Sequence, residues 1–291
     1  MLLSSTNRTA PVGAQRSRIS NRARGSGSSP LLLAIFLILV VAATTFIFVA
    51  RLYPAPPPIS RDAVLVDRQY NLTLYVTGVV FLLAQLSLAY VVVRFRDRGQ
   101  KARFVRGNVG LEILWTSLTL FVFVALGVLG RQAWADVRFT PPASGAIRVE
   151  GTTSQFVYAF RYPGKDGKFG RLDPRFVNAP AGNPLGIDPS DPAGRDDVVV
   201  SELIVPAERP VELLLRSEDV VHNFFVRELR LQQDAMPGLV IPVRFTADHI
   251  GDYEIVCTQL CGLGHYKMHS LLRVVSQSEF EAFLNRQATA P

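Results

Sequence analysis

Three long apolar runs occupy the first half of the chain, and each is long enough to cross a membrane as a helix. They cover residues 31–50, 72–93 and 109–130. About twenty helical residues at a rise of 1.5 Å each span a hydrocarbon core of ~30 Å. Three buried core helices are the alternative, but the charges that flank the runs alternate as they do around membrane spans. The pattern therefore predicts three membrane spans.

Basic residues are concentrated at two places in this region. Five arginines lie between residues 8 and 24, before the first run, and five arginines and a lysine lie within 94–106, between the second and third runs. Positive charge beside a span marks its cytoplasmic side. The chain after about residue 136 is then extracytoplasmic. This placement also explains the net charge of +7 without any nucleic-acid partner.

These signals divide the chain into regions. Residues 1–30 are predicted to be a disordered basic cytoplasmic tail. Residues 31–52 are an N-terminal span or signal-anchor, and a retained span is favoured because the apolar run exceeds the ~7–15 residues of a signal peptide. Residues 66–136 form a transmembrane hairpin. Residues 137–291 form an extracytoplasmic domain with an insertion at 163–197.

The extracytoplasmic region consists of short apolar or alternating runs such as "GAIRVEG", "ERPVELLLRS" and "GDYEIVC". Glycine, proline and aspartate separate these runs, as in a β-sandwich or β-barrel. The insertion is too rich in these residues to be a core element, so it is predicted to be an ordered surface loop. Ser276 and Glu279 form a capping box that predicts a short C-terminal helix.

The stretch "VCTQLCGLGHYKM", Val256 to Met268, holds both cysteines of the chain, one of its four histidines and one of its three methionines. A disulfide between Cys257 and Cys261 would close a short loop, would stabilise little and would leave His265 and Met268 unexplained. The spacing C-x3-C-x3-H-x2-M follows a predicted strand and includes two glycines. Glycine allows the tight turns that bring successive side chains together. A metal site is the favoured interpretation.

The donor types restrict the choice of metal. Thiolate and thioether ligands select copper, zinc or iron–sulfur clusters. Structural zinc sites use four sulfur or nitrogen ligands, usually without methionine, and iron–sulfur clusters usually use four cysteines. Cysteine, histidine and a weak methionine describe copper electron-transfer sites. The second thiolate favours two copper ions bridged by two sulfurs over a mononuclear site.

Each of two copper ions needs a histidine, so a second histidine must come from outside this stretch. The candidates are His222, His249 and His269. His249 lies in a turn and is expected to be solvated. His269 follows Met268 directly and would point to the opposite face of a strand that began there. His222 is chosen on its context.

Three motifs carry a resemblance to a known family. "S-x-D-V-x-H-x-F", "Q-D-A-x-P-G" and "C-x-x-x-C-G-x-x-H-x-x-M", together with "LEILWT" at the third span, resemble subunit II of the cytochrome c oxidases, in the haem–copper oxidase superfamily. The resemblance covers most of residues 66–275. It implies a membrane α-helical hairpin followed by an all-β cupredoxin-like Greek-key barrel that holds the binuclear copper centre CuA. The implied ligands are Cys257 and Cys261 as bridges, His222 and His265, Met268, and the backbone carbonyl of Gln259.

The resemblance also implies a function. The chain would accept electrons from cytochrome c and pass them to the haem and copper sites of subunit I, where oxygen is reduced and protons are pumped. Partners would be the haem-bearing subunit I, other oxidase subunits and the membrane, which would be a bacterial plasma membrane with the C-terminal domain on the periplasmic side. The alternative is the CuA subunit of another respiratory reductase, of the nitric oxide reductase type.

The sequence departs from the family pattern at two positions. The family often has glutamate at the position of Gln259, where its carboxylate helps to hold magnesium at the interface with subunit I. A neutral amide is a poorer ligand for that cation, so the magnesium site is uncertain. The family commonly has tryptophan at the position of Phe156, as the point where the electron enters. Phe156 or Tyr158 would take that role, or the donor would dock differently. The alternative for both residues is a place in the core as aromatics of a β-strand. Glu112 matches a glutamate near the mouth of a proton channel, and an alternative is a carboxylate favoured by a helix dipole.

Overall fold

The computed structural model describes residues 29–50, 54–98, 101, 104, 106–141 and 143–288. The predicted tail, except for its last two residues, lies outside this part of the chain. The described residues form two compact units, one from the ranges up to 53 and 76–107 and one from the ranges 54–75 and 108 onwards.

The predicted apolar runs are helices. They are α1 (Ser29–Val49), α2 (Arg61–Arg94) and α3 (Val109–Phe139). Each contains a stretch that is long and apolar enough to cross a membrane. Side chains cap two of them, since Ser60 Oγ accepts the Ala63 N–H at 3.0 Å and Asn108 Oδ1 accepts the Leu111 N–H at 3.1 Å. At 34 and 31 residues, α2 and α3 are longer than the ~20 residues that a hydrocarbon core requires.

The extracytoplasmic domain is a sandwich of two five-stranded sheets. The strands are β1 (Ile147–Ser154), β2 (Val157–Tyr162), β3 (Val198–Val200), β4 (Leu203–Pro206), β5 (Val211–Ser217), β6 (His222–Val226), β7 (Leu231–Ala235), β8 (Ile241–Phe245), β9 (Gly251–Val256) and β10 (His269–Val275). The sheet orders are β3-β2-β1-β5-β8 and β4-β10-β9-β6-β7. Pairs β1–β5 and β4–β10 are parallel, and the other pairs are antiparallel. The predicted fold class, membrane helices followed by an all-β cupredoxin-like domain, is confirmed.

Alternating side chains of the two sheets fill the core. Every second residue of β5, from Val211 to Ser217, is buried, which is the period of a strand with one face inward. Phe224, Ile255 and Leu272 of the other sheet are fully buried in the same core. Each such side chain contributes roughly 1.5–3 kcal/mol relative to an exposed one.

The insertion between β2 and β3 is held by a buried arginine. Arg161 of β2 donates to the carbonyl of Gly170 at 2.9 Å and to the Asp197 carboxylate at 3.1 Å, and it also pairs with Glu150. The insertion contains three 3-10 turns, Pro174–Phe176, Ala179–Ala181 and Pro192–Gly194. An ordered loop without sheet or α-helix, as predicted, is what the described residues show.

The start of the second unit is bonded to the sandwich, and a capped helix follows its last strand. At the start, the N–H of Ile59 donates to Glu228 O at 3.1 Å, and Arg230 forms an ion pair with Asp67 at 2.8 Å. At the end, helix α4 (Gln277–Ala288) begins with the predicted capping box: the Ser276 N–H donates to the Glu279 carboxylate at 2.9 Å, and Ser276 Oγ accepts the Glu279 N–H at 3.3 Å.

Candidate metal centre

The connection between β9 and β10, residues 257–268, brings most of the predicted ligands together. The N–H of Cys257 donates to the carbonyl of Met268 at 3.2 Å, which closes the connection at its base. Gly262 has φ +139, a conformation that residues with a side chain rarely adopt. A 3-10 turn, His265–Lys267, then returns the chain to β10. We call residues 257–268 the ligand loop.

The two cysteines face each other without a bond. Their Sγ atoms lie 3.8 Å apart, well beyond the ~2.05 Å of a disulfide, and both residues are buried free thiols. This separation places both sulfurs at the edge of one small space. It fits a shared metal centre better than a covalent cross-link.

His222 reaches the same space from another element. It is the first residue of β6 and is fully buried. Its Nδ1 lies 3.1 Å from the Met268 sulfur, and one donor atom from each of His222, Cys257 and Cys261 lies within 4.8 Å of the other two. Pairing of β6 with β9 brings this histidine to the ligand loop.

The remaining predicted donors are in contact with the cysteines. The carbonyl oxygen of Gln259 lies 3.2 Å from Cys257 Sγ, and Nδ1 of His265 lies 3.6 Å from Cys261 Sγ. The Met268 sulfur lies 3.8 Å from Cys261 Sγ. All six predicted donor groups are therefore brought together.

The chemistry of this donor set suits copper. It comprises two thiols, two imidazoles, a thioether and a carbonyl. Thiolates and imidazoles suit both zinc and copper, and the thioether, which zinc sites usually lack, favours copper. In the metal-free chain, burial and then the neighbouring Cys257 raise the pKa of the Cys261 thiol to about 11. A metal ion must displace this proton, because the thiolate is the ligand. The residues present fit a binuclear copper centre.

Asp219 orients His222, and the sequence motif contained it without revealing this role. Its carboxylate lies 2.7 Å from Nε2 of His222 and accepts that N–H, which leaves the Nδ1 lone pair directed at the sulfurs. Burial opposes ionisation of Asp219, but hydrogen bonds from His222, Val220 and Gln155 lower its pKa overall. The only indication of this role in the motif is the position of Asp219, three residues before the candidate ligand His222.

A second network holds the other side of the ligand loop. The Thr258 hydroxyl donates to Asn223 Oδ1 at 2.7 Å and accepts from Gln232 at 3.0 Å. The Asn223 amide in turn donates to Asp234 at 2.6 Å. The motif "Q-D-A-x-P-G" thus contributes Asp234 as a support for the loop rather than as a ligand.

The two aromatic candidates occupy different positions. Phe156 is half-buried, and its ring lies so close to the ligand loop that a Cβ at Gly264 would approach it to 2.3 Å. Tyr158 is buried beneath the centre and donates its hydroxyl to the carbonyl of Asn223 at 2.6 Å. Glu112 is exposed in the first turn of α3, and the structure does not bring it to the metal centre.

The other two histidines stand apart from the donors. His249 is exposed beside Asp248, at the far end of β9. His269 is exposed, next to the buried Met268, as the alternation of a strand requires. The choice of His222 thus agrees with the geometry.

Comparison with known proteins identifies the family of this chain. A sequence profile of the periplasmic domain of cytochrome c oxidase subunit II matches residues 192–275. The alternative cytochrome c oxidase subunit 2 of Bradyrhizobium diazoefficiens is 36% identical over 236 residues, which cover 80% of this chain and 83% of the relative. The chain belongs to the cytochrome c oxidase subunit II family. Cytochrome c oxidase subunit 2 of Thermostichus vulcanus is 29% identical over 266 residues, covering 81% of this chain and 80% of that protein.

Two solved structures match parts of this chain. The periplasmic domain of subunit II of cytochrome oxidase from Bradyrhizobium japonicum matches with a TM-score of 0.37 and 25% identity, over 50% of this chain and 95% of that one. A purple cupredoxin from Nitrosopumilus maritimus matches with a TM-score of 0.20 and 15% identity, over 25% of this chain and 76% of that one. The family assignment rests on the sequence relatives.

Proposed function

We propose that this chain is the electron-accepting subunit of a cytochrome c oxidase and holds a binuclear copper centre in its periplasmic domain. Six groups would hold the metal: the thiolates of Cys257 and Cys261, the imidazoles of His222 and His265, the Met268 sulfur and the Gln259 carbonyl. When bound, the two copper ions would supply one-electron transfer. The observation that carries this proposal is the meeting of both unpaired thiols with the buried His222.

The protein's contribution is rigidity and exclusion of water. Asp219 holds the His222 ring, Asn223 holds Thr258, and the Cys257–Met268 hydrogen bond fixes the ends of the ligand loop. Ligands that cannot move make electron transfer fast, because little rearrangement accompanies a change of charge. The electron would enter through Phe156, since it is half-exposed and touches the ligand loop, with the buried Tyr158 beneath the centre as the second candidate.

The wider assembly follows from the family and the membrane helices. A bacterial plasma membrane would hold the helices, a haem-bearing subunit I would receive the electrons and reduce oxygen, and cytochrome c would supply them. Glu112, at the predicted cytoplasmic start of α3, is proposed to lie near a proton path into subunit I. Gln259 offers its carbonyl to copper, and its neutral side chain gives no support to a magnesium site.

Copper counting on the full chain in detergent tests the proposal. We expect two copper ions per chain and a paramagnetic resonance spectrum of one electron shared by two copper nuclei. His222→Ala should abolish this mixed-valence signal. His249→Ala should leave it unchanged, because that residue lies at the other end of β9. A single bound ion, or loss of the signal in the His249 variant alone, would overturn the ligand assignment.

A further inference from the structure

Gln155 connects the two ligand-bearing segments of the centre. It lies in the turn between β1 and β2, one residue before Phe156. Its side-chain amide donates to the carbonyl of Cys261 at 2.6 Å. Its backbone N–H donates to the Asp219 carboxylate at 2.7 Å. One residue therefore contacts the ligand loop directly and reaches His222 through Asp219.

The packing around this contact leaves little freedom. A Cβ at Gly262 would lie 2.8 Å from the Gln155 amide nitrogen and 3.1 Å from the Phe156 ring. The ligand loop is thus pressed against the β1–β2 turn, with the amide as its hydrogen-bond donor there. Among the described residues, this amide is the only hydrogen-bond donor to the Cys261 carbonyl.

The opposite side of the ligand loop is held independently. Thr258 is fixed by Asn223 and Gln232, which lie on β6 and β7. Loss of the hydrogen bond from Gln155 would therefore allow the loop to move at Cys261, while Cys257 stays in place. The separation of the two sulfurs is the quantity that such a release would change.

We propose that Gln155 is a positioning residue for the metal centre, whose side-chain amide sets the position of the Cys261 thiolate relative to that of Cys257. The inference rests on the proposed copper centre for its spectroscopic consequence. In the metal-free chain it has a second consequence, because the same contact limits how often the Cys261 thiol becomes accessible.

The test uses the full chain in detergent with three substitutions at this position. Gln155→Met keeps the length and removes the donor, Gln155→Glu replaces it by an acceptor, and Gln155→Lys retains a donor. Gln277→Met is the matched control, since its amide donates to Glu281 on the surface of α4, away from the ligand loop. Copper-loaded samples are compared by near-infrared absorption and copper hyperfine splitting. Metal-free samples are compared by the rate at which an aromatic disulfide reagent modifies the cysteines.

We expect the Met and Glu variants to show altered hyperfine splitting at an unchanged melting temperature. Their metal-free thiols should react about 3- to 10-fold faster than those of the unsubstituted chain, which corresponds to the loss of one hydrogen bond. The Lys variant and the Gln277 control should resemble the unsubstituted chain in thiol reactivity.

The inference fails if the Met and Glu variants match the unsubstituted chain in both measurements, or if the Lys variant reacts as fast as the Glu variant. If the proposed function is wrong, the copper count gives a different result: the unsubstituted chain itself takes up fewer than two copper ions. The thiol rates still decide the role of Gln155 in that case.

Discussion

His222 is a proposed ligand that depends on a neighbouring residue. Its ring would bind metal through Nδ1 only if Nε2 keeps its hydrogen, and the Asp219 carboxylate at 2.7 Å stabilises that tautomer. The carboxylate would therefore influence a bound metal ion without contacting it.

Asp219→Asn should lower copper affinity about 10- to 100-fold, the usual effect of losing such a partner. Competition titration against a chelator measures it. Asp252→Asn is the control, since that aspartate pairs with Arg273 in an exposed position. Equal losses in both variants would show that the effect is general rather than transmitted through His222.

The cysteine thiols predict a pH dependence of metal uptake. Burial and the neighbouring Cys257 raise the pKa of Cys261 to about 11, so the thiol is protonated in the metal-free chain at neutral pH. Each proton that copper displaces makes the apparent affinity rise about tenfold per pH unit while the thiol remains protonated. Titrations at several pH values should show this rise, and a flat profile between about pH 6 and 8 would contradict it.

At the scale of elements, the insertion is attached to β2 through one buried charge. Arg161 is almost inaccessible, with 2% of its side chain exposed, and the paired Asp197 carboxylate is fully buried. Removing one partner of a buried ion pair leaves the other charge uncompensated, which is strongly destabilising.

Arg161→Met should therefore destabilise the β domain by about 3–5 kcal/mol and expose the insertion to proteases. Thermal melting followed by circular dichroism, with digestion of the 164–196 segment, measures both effects. Arg175→Met is a matched control, because Arg175 also pairs with an aspartate but is 82% exposed. We expect no change in that variant, and similar melting of the two would contradict the role of Arg161.

Elements with a local pattern could be predicted from the sequence. The apolar runs, the alternation in β5 and the capping box at Ser276 each lie within one continuous stretch of the chain. The parallel pairing of β1 with β5 could not be predicted, because it joins strands about 60 residues apart and depends on how the whole sandwich packs. Local pattern determines the strand, and tertiary packing determines its neighbours.

The same division applies to the candidate centre. The spacing of the ligand loop predicts four donors in one place, and the structure brings them together. Gln155 could not be recognised, because its contacts with Asp219 and Cys261 span 64 and 106 residues of sequence. Phe156 and Tyr158 are two residues apart in sequence, but Phe156 lies in the β1–β2 turn and Tyr158 in β2, and only the structure shows that Tyr158 is the buried one.

At the scale of the whole molecule, the ligand loop exposes three large apolar side chains, with the exposed Lys267 beside them. Leu260, Leu263 and Tyr266 are 79%, 98% and 77% exposed. We call these three residues the loop patch. No acidic residue lies between 257 and 268. Large exposed apolar groups of this kind mark contact surfaces for other proteins. A donor that docks here would depend little on salt, since charge pairing mainly sets the salt dependence of association.

Leu263→Asp should raise the KM for cytochrome c severalfold in the assembled oxidase while the copper spectrum stays unchanged. Ile250→Asp is the control, because Ile250 is a similarly exposed residue at the opposite end of β9, roughly 20 Å away. Steady-state oxidation at two ionic strengths measures the effect. An unchanged KM would contradict docking at the loop patch, and failure of the oxidase to assemble would assign the patch to subunit I instead.

The base of the ligand loop, where the Cys257 N–H meets the Met268 carbonyl, has a consequence for unfolding. Five of the six donors lie between strands β9 and β10, and only His222 belongs to β6. Loss of the visible absorption of a copper-loaded sample at increasing denaturant concentration would then report the separation of β6 from β9. If β6 separates from β9 before the rest of the domain unfolds, the visible copper absorption would be lost at a lower denaturant concentration than the far-ultraviolet circular dichroism signal.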